Sequence, residues 1–191
     1  MKIYNTVMDY MREHQTPLIR TLHMTIIFLV LSQIIVSNFM DVNRAGEIST
    51  NTVEFYGTWL HIILGISLFP VAIIFLTVEL KRHGLKYYFP YLWREFTQLR
   101  NDISLLLKFK LPESSPYGLV AIIQGLGLGA LFLVLFSGFL WFITWYVGLS
   151  WSYNLKDLHE LFTGLIQAYL IGHGAMGVLH IYLYARAQKN G

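Results

Sequence analysis

The sequence predicts an all-α membrane protein built as a four-helix transmembrane bundle, and three observations carry the prediction. Hydrophobic residues make up 55% of the 191 and charged residues 13%, about half the usual globular share. A soluble domain of this size leaves too much of its chain in water to hide so apolar a composition, which equally excludes disorder. Four apolar stretches are each long enough to cross a hydrocarbon core as helix, which takes about 20 residues. Lysine and arginine then fall almost entirely on one side of those stretches.

The stretches cover residues 18–37, 58–80, 117–145 and 158–184. None alternates in the manner of a strand, and all are too long for one. The first is also too long for the apolar region of a secretory signal, and Ser37-Asn38-Phe39-Met40-Asp41 offers no small-x-small cleavage site. Between the second and third, Leu92, Phe96, Leu99, Ile103 and Leu106 recur at spacings of four and three, with Arg94, Gln98, Asn101 and Asp102 between them. This predicts an amphipathic helix, either lying on the bilayer surface or offering a docking face to a partner. Pro112 and Pro116 end it before the third span. No internal repeat or low-complexity tract divides the chain, so residues 1–191 are expected to form a single integral-membrane domain.

Twelve basic residues lie on one side: Lys2, Arg12 and Arg20, then the seven between spans two and three, then Arg186 and Lys189. The other side has Arg44 and Lys156 against Asp41, Glu47, Glu54, Asp157 and Glu160. The bias predicts that both termini and the long loop are cytoplasmic and that the outer face is net negative. With a net charge of only +3, confined to one side of a membrane, nucleic acid is not an expected partner.

The chain has no cysteine, which excludes disulfides, thiolate-bound zinc, iron–sulfur clusters and covalent c-type haem. It has seven histidines. His14 and His83 sit beside basic residues at the edges of spans, whereas His23, His61, His159, His173 and His180 lie within them. An imidazole in hydrocarbon is costly without a partner, so intramembrane histidines are functional candidates. A single one is as readily an interhelical hydrogen bond; five in four spans are harder to explain that way.

Depth arithmetic pairs them. His159 and His173 are fourteen residues apart, nearly four whole turns, so they face the same way about 21 Å apart along one helix. Counting from the outer surface puts His61 level with His159, and His23 level with His173; His180 falls about 36 Å down, beyond the hydrocarbon. Two imidazole pairs at two levels, with no thiol and with apolar walls, suit bis-histidine ligation of two haems. Gly65, Gly164, Gly172, Gly174 and Gly177 near these histidines either make room for a flat macrocycle or pack helices together. Gly125-Leu126-Gly127-Leu128-Gly129 lies inside a span with no preceding strand and is not a nucleotide loop.

For haem propionates, Arg20, one turn from His23, and Lys156, one turn from His159, are candidate donors; each is equally placed as an interfacial anchor. Tyr56 or Tyr153 is a further candidate at the outer level, while Trp59, Trp145 and Trp151 read as interfacial belt residues. Glu160 points about 100° from His159 and reads as an N-terminal helix acid. His180 reads as a propionate or quinone contact, or as a plain interfacial histidine. No residue is singled out as catalytic.

Arg20-Thr21-Leu22-His23, Leu60-His61-Ile62-Ile63-Leu64-Gly65 and Leu155-Lys156-Asp157-Leu158-His159-Glu160, with His173 fourteen residues on, resemble the prokaryotic cytochrome b561 superfamily across residues 18–184. The resemblance implies a bacterial inner-membrane cytochrome with two b-type haems that exchanges electrons with quinone. Carried over, the axial ligands are His23 and His173 for one haem and His61 and His159 for the other. Some members resemble subunits wired to a redox partner protein, others a stand-alone superoxide oxidase that passes electrons to quinone. The negative outer face opposes an incoming anion, and the middle loop is long, so an electron carrier between quinone and a partner is expected. A rival of another class, a haem-free histidine-lined metal or proton pathway, would need acids deep in the spans, and these have none: Glu79 and Glu160 are at ends.

Overall fold

The computed structural model describes residues 2–43, 46–108, 110–112 and 115–190, with side chains from Asn5 to Gln188. Arg44 lies outside the described residues, as do the side chains of Lys2 and Lys189. Helices run α1 (Lys2–His14), α2 (Pro17–Ser37), α3 (Thr52–His83), α4 (Leu85–Tyr88), a 3-10 turn (Pro90–Trp93), α5 (Thr97–Leu107), α6 (Leu119–Tyr146) and α7 (Ser152–Asn190). Among the described residues there is no strand beyond one isolated bridge, Val42 to Ile48, in the α2–α3 hairpin. Four helices, α2, α3, α6 and α7, are long and apolar enough to cross a membrane.

α3 and α7 overrun their apolar stretches at both ends for a simple reason: hydropathy marks where the bilayer would lie, not where helical hydrogen bonding stops. Asn51 caps α3 so that the helix starts six residues ahead of the expected position, its side chain accepting from Val53 N at 2.9 Å. Gly84, at φ +79, ends α3 in a conformation that suits glycine. α7 begins at Ser152, so Glu160 sits two turns inside the helix and is not the N-terminal acid the sequence suggested.

The helix in the long loop is shorter than its hydrophobic period. Pro90 opens the 3-10 turn and Arg94 takes a left-handed conformation at φ +57, so Leu92 and Phe96 fall outside α5. Ile103, Leu106 and Leu107 of α5 are exposed, whereas Asp102, on the expected polar face, is buried. Its carboxylate accepts from Leu119 N at 2.7 Å and from the Gln98 amide at 2.8 Å, and so satisfies a free N–H at the start of α6. An apolar face turned outward over an inward carboxylate suits a lipid surface and a docking face alike.

Helix α1 was not expected, because its thirteen residues are too few to cross a membrane, although Val7, Tyr10 and Met11 recur at helical spacing. It lies against the end of α7: Met11 is buried, Tyr10 meets Tyr184 edge-on at 5.5 Å, and the Tyr184 hydroxyl donates to Glu13. Both chain ends therefore share one end of the bundle. At that end Tyr88 donates to the buried carboxylate of Glu79, and burial followed by this bond pushes the Tyr88 phenol above its ordinary pKa.

The packing is lopsided. α2 runs along α3, α6 along α7, and α3 touches α6, while among the described residues neither α2 nor α3 packs its backbone closely along α7. The core of Ile26, Val30, Leu68, Ala72, Ala130, Leu131, Leu135 and Ile166 sits mainly between α2, α3 and α6. Lipid tails are as apolar as leucine, so this cluster holds by close packing more than by escape from water. Of α7, only Ile166 is buried among the described side chains. A cleft thus separates α7 from the α2–α3 pair.

Candidate functional site

Four of the five intramembrane histidines face one another across that cleft. His61 on α3 and His159 on α7 have ring centres 6.2 Å apart at 79°, near the end of the bundle that holds the α6–α7 turn. His23 on α2 and His173 on α7 have ring centres 6.1 Å apart at 73°, nearer the end with both termini. A direct N–H···N bond between facing imidazoles would bring the centres to about 5.2 Å, given a donor–acceptor distance of about 2.9 Å and a ring radius of about 1.15 Å. Two metal–nitrogen bonds of about 2.0 Å end to end give about 6.3 Å instead. Both pairs have the second spacing.

The third span, which has no histidine, furnishes much of the surroundings. His159 Nδ1 donates to the backbone carbonyl of Val134 at 3.0 Å, which leaves Nε2 as the nitrogen with a free lone pair. Ser137 Oγ donates to the same carbonyl at 3.0 Å and lies 3.2 Å from Nδ1. A Cβ on Gly138 would stand 2.8 Å from His159 Cε1, so only glycine lets the ring lie there undisturbed. At the other pair, a Cβ on Gly127 would stand 2.0 Å from Tyr169, whose ring stacks on His173 at 5.1 Å and 16°. Phe75 faces His23 at 6.2 Å and 15°. The glycine tract of α6 is thus a packing surface, with Gly125 against the Tyr88 backbone.

A cavity of about 480 Å³ surrounds the His61–His159 pair, within the roughly 300–1,000 Å³ of small-molecule sites. Gly65, Gly138 and Gly164 line it. Gly65 was expected to make room for a macrocycle, but a Cβ there would stand 3.0 Å from the Gln33 amide, so its first service is to seat Gln33. Gly164 has open space, as do Gly172, Gly174 and Gly177 near His173. His61 Nδ1 and Gln33 Oε1 are buried without a hydrogen-bond partner, although the Gln33 amide donates to the His61 carbonyl at 2.8 Å. Trp145 ties the α2–α3 hairpin over this end, its indole N–H donating to Gly46 O at 2.6 Å while its ring stacks on Trp141.

The remaining expected residues sort plainly. Lys156 lines the cavity and pairs with Glu160 at 3.3 Å, and Glu160 lines the cavity too. Tyr153 lies beneath the Lys156 ammonium, while Tyr56 is at the surface beside Phe55. Arg20 is half-buried one turn from His23. His180 stays out of both pairs and donates from Nδ1 to Met176 O at 2.8 Å. Among the described residues no three His, Cys, Asp or Glu side chains cluster as a metal site.

Paired histidines facing across a cleft between membrane helices define a class, the helical membrane proteins that grip a flat metal-bearing cofactor inside the bundle. The chain belongs to the prokaryotic cytochrome b561 family, whose model matches residues 14–188. It is accordingly a multi-pass bacterial membrane protein, a b-type cytochrome of electron transfer that binds haem b. No curated protein and no solved structure shows significant similarity to it. The residues present fit the cofactor: imidazole pairs spaced for an intervening metal, an open cleft between the helices that bear them, and a His159 ring nitrogen left free by a backbone carbonyl.

Proposed function

We propose that the chain holds two haems b and carries electrons across the membrane between quinone and a redox partner protein. His23 and His173 ligate the inner haem, His61 and His159 the outer. The observation that supports this is the pair of metal-spaced imidazole couples borne fourteen residues apart on α7. Two irons held by these pairs would lie about 20 Å apart, following that rise. Haem supplies reversible one-electron chemistry when bound. The chain's own part is to hold the ligand nitrogens, exclude water and set the local field. A pyridine haemochrome assay tests the count: two haems per chain are expected, and one or none defeats the reading.

The basic bias orients the molecule with both termini and α5 on the cytoplasmic side of the inner membrane. Quinone is placed at that side, near His23, Arg20 and His180, where the interfacial helix α5 can wall a lateral opening. An inhibitor that perturbs only the outer haem spectrum would refute this placement. Arg20 serves a propionate of the inner haem and Lys156 one of the outer haem.

The outer cavity favours a protein partner over superoxide as the second reactant. Asp41 and Glu160 both line it, and its lysine is already engaged by Glu160. Such a field repels a small anion and steers a basic protein surface. Stopped-flow mixing with superoxide should give slow haem reduction that quickens as salt rises. Reduction near about 10⁸ M⁻¹s⁻¹ would promote the superoxide oxidase reading instead.

A further inference from the structure

Gln15 sits in the short link between α1 and α2, and its side-chain amide lies 3.3 Å from His23 Nδ1. The other end of the amide, Oε1, is buried without a partner. A carboxamide has the same shape either way round, so the contact has two chemical readings. With the N–H₂ toward the ring, Nδ1 accepts and the imidazole proton must sit on Nε2, which then has no lone pair for a metal. With Oε1 toward the ring, Nδ1–H donates to it and Nε2 is free to face His173. Each orientation leaves one amide atom without a protein partner, so the hydrogen bonds alone do not choose; the need of a ligand nitrogen for a lone pair does.

We propose that Gln15 is a positioning residue for the inner haem, with its carboxamide oxygen accepting from His23 Nδ1–H, which fixes the ligand tautomer and raises its basicity. This rests on the assignment of His23 as an axial ligand. His159 is served in the same way by the Val134 carbonyl, so the two sites use one device from different sources, a helix backbone in one and a link side chain in the other. Through Gln15, the seating of α1 against α7 reaches the inner ligand directly.

The test uses the full-length protein carrying both haems, with the midpoint potential of each followed optically and by electron paramagnetic resonance. His23→Ala first identifies the inner haem as the one lost. Gln15→Leu removes the acceptor without adding charge and should raise the inner midpoint by up to a tenfold change in the ferric–ferrous balance, about 59 mV for one electron. Gln15→Glu supplies a stronger acceptor and should lower it by a similar factor, with the outer haem unmoved in both. Two haems present with both midpoints unshifted, or a shift confined to the outer haem, overturns the role of Gln15 alone. Retention of both haems in His23→Ala overturns the ligand assignment and this inference together.

Discussion

The two histidine pairs are alike in spacing and unlike in support. The outer pair leans on α6: a backbone carbonyl holds the ring of His159, a serine shares that carbonyl, and a glycine leaves the ring its space. The inner pair leans on side chains, with Phe75 against His23, Tyr169 against His173 and an amide from outside the span. A backbone acceptor inside a packed helix cannot swing away; an amide on a link can. The outer site is therefore the more rigid, and the inner the more responsive to what happens at the membrane surface.

Four measurements break or sharpen that comparison. The largest effect belongs to the ligands. His61→Ala and His159→Ala should each abolish the same haem, and His23→Ala and His173→Ala the other, each halving the haemochrome yield. Loss of different haems within a pair would dissolve the pairing. Next come the glycines. Gly138→Ala drives a methyl toward the His159 ring and should weaken outer haem binding about 10–100-fold, as loss of a ligand's support commonly does. Gly174→Ala beside His173 meets open space and should leave both haems in place. Equal effects at the two positions would mean that α6 does not shape the outer site.

A third measurement reads geometry. Imidazole planes at 73° and 79° predict strongly anisotropic low-spin ferric signals for both haems, because crossed axial planes leave two iron d-orbitals nearly degenerate. A rhombic signal from one haem would show that its ligands rotate on binding. The smallest effect is expected of Ser137→Ala. Its hydroxyl competes for the Val134 carbonyl, so removal should strengthen the bond from His159 Nδ1–H and lower the outer midpoint by a few-fold change in balance, leaving the inner unmoved. A rise would mean that the hydroxyl itself supports the ring.

The sequence was sufficient for the parts that depend on distance along a helix. A rise of 1.5 Å per residue and a bilayer of known thickness put His61 level with His159 and His23 level with His173, and left His180 out, as the ring contacts have it. Four spans followed from apolar length alone, since hydrocarbon tolerates little else. The partners of those histidines were another matter. Val134 contributes a carbonyl that any residue has, Ser137 and Gly138 resemble ordinary membrane packing residues, and Gln15 lies eight residues from His23 beyond a proline that hides its approach. The seating of α1 on α7 and the inward turn of Asp102 were invisible for the same cause, because each depends on which neighbour the chain folds back to meet. Periodicity along one helix sets depth and facing; which backbone stands behind an imidazole is a property of two helices at once, and only their packing decides it.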